Sequence, residues 1–345
     1  MADSLTSPNI GDLSEEQIIA LFANSSSSPN EIGIGDDSSV TEGPRGLKQL
    51  ISTDLIVEHV HFRRQEISPR FLGYKALAIN LSDIAAMGGR PTGFYVSLAL
   101  PKELSVNWLR QFRNGLVALA QEYDISLLGG DTTRSQNDII INITIIGVGK
   151  PQQVKLRSDA EVGDILCVTG TVGDSAAGFE ILSHPDQYTH LAKSVRQQLL
   201  GRHQEPEPEV EKGQWLAQEK TVHAMIDLSD GLLRDAYHIA HQSHCRIKIA
   251  LEQLPLSRAF RSFYEKDGTH EQAQEFAVVG GEDYKLLLTV AKDGVKDLQK
   301  RYKQNFGTIL HQIGSVSEGD SEVGMLRSGA SVEIKEQEFK HFKGS

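Results

Sequence analysis

Cysteine is nearly missing: Cys167 and Cys245 are the only two in 345 residues, and they form no C-x-x-C pair. That excludes a disulfide framework and points to a reducing, cytoplasmic setting. No apolar run approaches the length of a membrane span. Residues 1–12 are polar and acidic where a signal peptide would begin basic and turn apolar. Positive charge is also short. The formal net charge is −11, whereas binding a phosphate backbone wants a basic face, so nucleic acid is not an expected partner. There is no G-x-x-x-x-G-K-[ST], no G-x-G-x-x-G opening a helix and no G-x-S-x-G. Gly147-Val148-Gly149-Lys150 lacks the third glycine and runs into Pro151. P-loop, dinucleotide-binding and serine-hydrolase chemistries are thereby excluded. Neither cysteine has a nucleophile's context, and no covalent nucleophile is expected.

What the chain does have is carboxylates in small-residue turns after apolar stretches. Gly33-Ile34-Gly35-Asp36-Asp37 sets two acids side by side, a costly arrangement unless water or a cation screens them. Ser52-Thr53-Asp54 offers two hydroxyls and a carboxylate, and Gly129-Gly130-Asp131-Thr132-Thr133-Arg134 and Gly280-Gly281-Glu282-Asp283-Tyr284 follow the same style. Ile79-Asn80-Leu81-Ser82-Asp83 is echoed by Ile226-Asp227-Leu228-Ser229-Asp230. Any one of these could be a solvated turn or an Asx-turn. Helix capping accounts for Ser82 and Ser229, at about 1 kcal/mol each. It does not account for Asp227, which sits inside an apolar strand end. The recurrence favours oxygen ligands for a hard cation such as Mg²⁺ and a chemistry of phosphates. His61, close to His59, reads on its own as a structural histidine as readily as a functional one.

An apolar content of 39% with 23% charged residues is ordinary for a globular protein, and 345 residues suggest two domains. A helix is expected over 13–23, with Ser14 and Gln17 as a capping box, followed by a loop at 25–30. Strands are expected at 48–53, 93–100, 139–148 and 165–169, with helices at 69–87 and 106–123. The mixture indicates α/β or α+β architecture. A boundary at 147–151 divides the chain into 1–150 and 151–345. Beyond it come a helix at 175–182, an exposed connection with some helix inside it over 184–213, and order again at 222–228, 231–242, 247–251 and 284–290. No solenoid period or heptad appears.

The motifs GIGDDSSV, STDLIVEHVHF, YKALAINLSDIAAMGGRP, LLGGDTTRS, TGTVGDSAAG, IDLSDGLLRD and GGEDYKLLLTV, in this order, resemble those of thiamine-monophosphate kinase. That family belongs with aminoimidazole ribonucleotide synthetase and selenophosphate synthetase, and the likeness spans residues 31–342. The resemblance implies two α/β domains: an N-terminal mixed sheet that pairs with a second subunit in a barrel-like interface, and a layered C-terminal domain completing the site. It implies phosphoryl transfer from ATP to thiamine monophosphate by a homodimer with several Mg²⁺ ions. Matched position by position, Asp37, Ser52, Thr53, Asp54, Asp83, Asp131, Asp227 and Asp230 would hold metal. Gly130, Asp131, Arg157 and Ser229 would meet the nucleotide, and His61, Glu282 and Phe339 the acceptor. Phe339 stands where the family often has Tyr or Trp, and Glu209 where a basic residue is expected. Other readings are a ligase of the same superfamily or a non-catalytic Mg²⁺–nucleotide sensor. A selenophosphate synthetase would want a reactive Cys near the N-terminus, and a hydrogenase-maturation relative a C-terminal one; neither is present.

Overall fold

The computed structural model describes residues 13–23, 31–264 and 269–334. Its first half comprises α1 (Glu15–Ala23), β1 (Ser39–Glu42), β2 (Lys48–Val57), α2 (Pro69–Ala86), β3 (Arg90–Pro101), α3 (Val106–Glu122), β4 (Ser126–Ser135) and β5 (Ile140–Gly149). Ser14 and Gln17 exchange the capping-box bonds at the start of α1. The strands form one five-stranded sheet in the order β1-β2-β5-β3-β4, antiparallel except for β3 and β4. Alternation along β5 explains its sidedness. Ile141, Ile143 and Ile145 are buried under the helices, whereas Asn142 and Thr144 face the other way. The sheet is open; β1 and β4 are its two edges, so the described residues of one chain form no closed barrel.

Helix α2 is the central element. Ser68 caps it by accepting from the Phe71 amide, and Pro69 occupies its first turn, where no amide hydrogen is needed. It is buried nearly all round, because it lies between the sheet and α3 on one side and the second half of the chain on the other. Glycines permit the close approach. A Cβ on Gly115 of α3 would stand 1.8 Å from the Arg70 carbonyl oxygen of α2. Gly115→Ala should therefore force the two helices apart and cost about 3 kcal/mol or more, read as a lowered midpoint in urea unfolding; an unchanged midpoint would contradict this packing.

The second half comprises β6 (Ile165–Val168), α4 (Asp174–Ser183), α5 (Lys193–Gln204), α6 (Val210–Ala217), β7 (Val222–Asp227), α7 (Leu232–Gln242), β8 (Arg246–Ala250), α8 (Arg258–Tyr264), α9 (His270–Val279), β9 (Leu286–Val290), α10 (Val295–Phe306), β10 (His311–Ser317), β11 (Glu322–Arg327) and β12 (Ala330–Val332). Its seven-stranded sheet runs β12-β11-β8-β10-β6-β9-β7. Central strands are covered on both faces. Leu286, Leu288 and Val290 of β9 join the core shared with the first half, while Leu287 joins a second core under α4, α5 and α7–α9. That is why β9 is apolar but for Thr289, whose hydroxyl accepts from the Ala224 amide.

Two expectations fail here. The segment 184–213 does hold the helix expected inside it, as α5 and the start of α6, but it is not an exposed connection, since it buries Leu199, His203, Glu209 and Val210. Its polar composition hides buried polar pairs: Glu209 accepts from Thr169, Lys212 and Lys285, which is why a carboxylate can stand at that position. Residues 129–134 are not a turn but part of β4. This edge strand is exposed along almost its whole length, so it carries glycine and polar residues rather than an apolar pattern.

Candidate active site

The first sheet, α2 and β7 bring carboxylates from four places in the chain together. One oxygen each of Asp37, Asp83 and Asp227 lie within 4.8 Å of one another. Asp83 sits in the last turn of α2, Asp227 at the end of β7, and Asp37 just before β1. Ser52 Oγ on β2 donates to Asp83 Oδ2 at 2.5 Å. Asp54 shares that face of β2 and adds its charge to Asp83 and Asp227. Burial, then the neighbouring carboxylates, pushes Asp83 and Asp227 well above the usual carboxylate range. Burial followed by Asp230 raises Asp54 to about 6. Among the described residues Asp227 Oδ2 is buried without a hydrogen-bond partner, and the Ser82 hydroxyl and Arg157 only partly offset the upward push on this carboxyl. Such a cluster is unfavourable without a cation and well suited to one. Its donors are all oxygens, the set hard divalent cations prefer.

Arg157 guards one side. Its guanidinium grips Asp37 through Nη2 at 2.8 Å and Nε at 3.3 Å, and its amide donates to Asp36 Oδ2 at 3.2 Å. Asp36 is raised to about 7, by burial first and the Asp37 charge second. Tyr284 is buried with φ at 49°, and the charges of Glu282, Asp54, Asp227 and Asp83 surround it.

The capping readings of the echoed motif are both overturned. Ser82 and Asp83 lie at the C-terminal end of α2, far from the orphan amides of its first turn that a cap would serve. At the second copy the N-cap of α7 is Gly231, with no side-chain cap. The capping duty falls to Asp235, whose Oδ2 accepts from the amides of Gly231 at 3.1 Å and Asp230 at 3.3 Å. Asp235 was not singled out from the sequence; a carboxylate in the first turn of a helix with a glycine N-cap was the available signal. Ser229 instead offers its carbonyl to the Glu282 amide at 2.8 Å. The echo therefore places its acids by different routes, the last turn of a helix for Asp83 and a strand end for Asp227. Asp230 is exposed and paired with Arg234 at 3.3 Å.

Not every expected ligand joins the cluster. Side chains alternate along β2, so Thr53 points opposite to Ser52 and Asp54. Its Oγ1 donates to the Ile143 carbonyl at 3.1 Å and accepts from Asn142 Nδ2 at 2.9 Å. Asp131 lies on β4, in the row of Ser97 and Asn142, on that same open face. With β5 and β3 intervening, β4 runs about 14 Å from β2. Gly130 beside it has φ at 155°, and a Cβ there would meet the Val96 carbonyl oxygen at 1.8 Å, so only glycine fits.

His61 follows β2 and accepts the Val57 amide on Nδ1 at 3.0 Å, which leaves Nε2 as the protonated nitrogen. Glu282 has φ at 64° and meets Lys75 of α2 at 3.1 Å. Phe339 lies outside the described residues.

Comparison with known proteins accords with this geometry. Residues 35–149 match the family described as AIR synthase related protein, N-terminal domain, and residues 161–327 match its C-terminal domain. The chain is thus built of the two domains of the AIR synthase related proteins. The thiamine-monophosphate kinase of Haemophilus influenzae is 38% identical, covering 91% of this chain and 93% of its own length. That of Buchnera aphidicola from Acyrthosiphon pisum is 36% identical with the same coverage. A solved structure of AaThiL complexed with AMPPCP and TMP superposes with a TM-score of 0.82 at 32% identity, covering 98% of this chain and all of that one. The chain belongs to the thiamine-monophosphate kinase family.

Proposed function

We propose that the chain transfers the γ-phosphoryl group of ATP to thiamine monophosphate, giving thiamine diphosphate. The observation that carries the reading is the convergence of Asp37, Asp83 and Asp227 around the unpartnered Asp227 Oδ2. Asp37, Ser52, Asp54, Asp83, Asp227 and Asp230 would hold Mg²⁺, which when bound supplies the positive charge that lets two anionic phosphates approach in line. The residues themselves position the groups. Arg157 provides a fixed guanidinium at the Asp37 end, and Ser229 holds the Glu282 loop through its carbonyl. His61 and Glu282 would receive the acceptor. Catalysis is positioning and charge neutralisation, with no covalent enzyme intermediate.

Thr53, Gly130 and Asp131 would enter a site only through a second copy of the chain. The open face of the sheet that Thr53 and Asp131 share also exposes Leu55 at 55% and Tyr95 at 41%, an apolar surface suited to a homodimer. Two measurements test this. Purified protein should release ADP when given ATP, Mg²⁺ and thiamine monophosphate, and excess chelator should remove the activity; full turnover in chelator sinks the metal reading. Light scattering at micromolar concentration should give twice the chain mass, and a fully active monomer would rule out the shared site.

A further inference from the structure

Lys75 is the buried cation that α2 carries into an acidic interior, and its surroundings are specific. Lys75 is 7% exposed and His203 6%, and they come from opposite halves of the chain. Lys75 Nζ donates to Glu282 Oε2 at 3.1 Å and lies 3.4 Å from His203 Nε2. His203 Nδ1 lies 3.2 Å from Glu282 Oε2 and 3.1 Å from Ser175 Oγ. With a cation facing Nε2, that nitrogen is the acceptor and Nδ1 carries the hydrogen, which points at Glu282 and Ser175. Burial and the neighbouring ammonium lower the His203 pKa, consistent with a neutral ring. Burial pushes Glu282 up, but Lys75 and then His203 more than offset it, and the carboxylate stays well below its usual range. Asp283 anchors the same loop by accepting from the Gly173 amide at 2.6 Å and the Ser175 amide at 3.1 Å. The Glu282 side chain remains 36% open to solvent. A carboxylate in the left-handed region, locked from behind by two buried partners and open in front, is built to meet something.

We infer that Lys75 and His203 are positioning residues for acceptor recognition: they fix the Glu282 carboxylate so that its open side receives the cationic, amine-bearing ring end of the acceptor. This rests on the phosphoryl-transfer reading above. The acceptor's thiazolium ring is positively charged and its aminopyrimidine donates hydrogen bonds, both complementary to a fixed carboxylate. Lys75 thereby acts through Glu282 and does not itself touch the acceptor.

The test is a comparison of Lys75→Met, Glu282→Gln and the double variant, assayed for KM and kcat with each substrate. Lys75→Met keeps the length of the side chain and removes its charge. It should raise the KM for thiamine monophosphate about tenfold or more, while kcat and the KM for ATP stay within about threefold. The double variant should match Glu282→Gln alone, because once the carboxylate is neutral Lys75 has nothing to hold. If Lys75→Met does not fold, the double variant still decides the matter, since it leaves no unpaired buried charge. An unchanged KM in Lys75→Met or in Glu282→Gln overturns the inference, as does a double variant several-fold worse than Glu282→Gln. Failure of the underlying reading would look different: wild-type protein would release no ADP with thiamine monophosphate.

Discussion

Asp227→Asn is expected to reduce phosphoryl transfer on the order of a thousandfold while leaving the fold intact. Asparagine keeps the size and hydrogen-bonding capacity but removes the charge that would hold a cation. The same substitution should raise the thermal midpoint of the metal-free protein. Asp227 lies at 2% exposure beside Asp37 and Asp83, one of its oxygens has no partner, and each of these conditions opposes its ionisation. A gain in stability together with a loss of activity is the signature of a site kept for function at a cost to the fold. Thermal melts in chelator and a coupled ADP assay suffice to check it. Turnover near the wild-type rate would remove Asp227 from the metal set.

The second large effect is a stability that depends on pH in a direction unlike that of ordinary acidic proteins. Asp54 is raised to about 6 and Asp36 to about 7, and Asp83 and Asp227 stand well above the usual range. For a carboxyl whose folded pKa exceeds its unfolded value near 4, the stabilisation is present below the unfolded pKa and fades as pH rises through the folded one. The metal-free protein should therefore lose stability between about pH 4 and pH 7, each affected carboxyl contributing up to about 1.4 kcal/mol per pH unit. A fall in midpoint on the order of 5 °C between pH 5 and pH 8 is expected. Saturating Mg²⁺ should abolish most of it, because a bound cation favours the ionised form. A midpoint that rises with pH in chelator would mean that these carboxylates are ionised without a cation.

The helices and strands with one covered face were readable from the sequence. Pro69–Ala86 and Val106–Glu122 fall within two residues of the periodicity, and β2, β3 and β5 begin or end close to their apolar runs. What escaped was structure whose pattern is not apolar. β4 has no buried face to impose alternation, and α5 hides His203 and α6 follows Glu209 behind a charged composition. At the site, the acids that meet were named, but how they meet was not. Ser82 and Ser229 looked alike because local sequence cannot tell the last turn of a helix from the turn after a strand. Thr53 and Asp54 look equivalent as neighbours, yet the pleat sends them to opposite faces. Lys75 lies in a recognised motif, but nothing local signals its pairing, because its partners lie more than a hundred residues away.

Because Lys75 and Asp83 ride on the same helix, α2 works as a ruler. Eight residues at 1.5 Å each set the two side chains about 12 Å apart along its axis. The spacing between the acidic cluster and the Glu282 latch is thus fixed by rigid backbone rather than by loop conformation. Adding one residue between positions 75 and 83 would lengthen that spacing by about 1.5 Å and swing one end by about 100° relative to the other. The distance between the latch and the cluster is therefore written into the residue count of one helix.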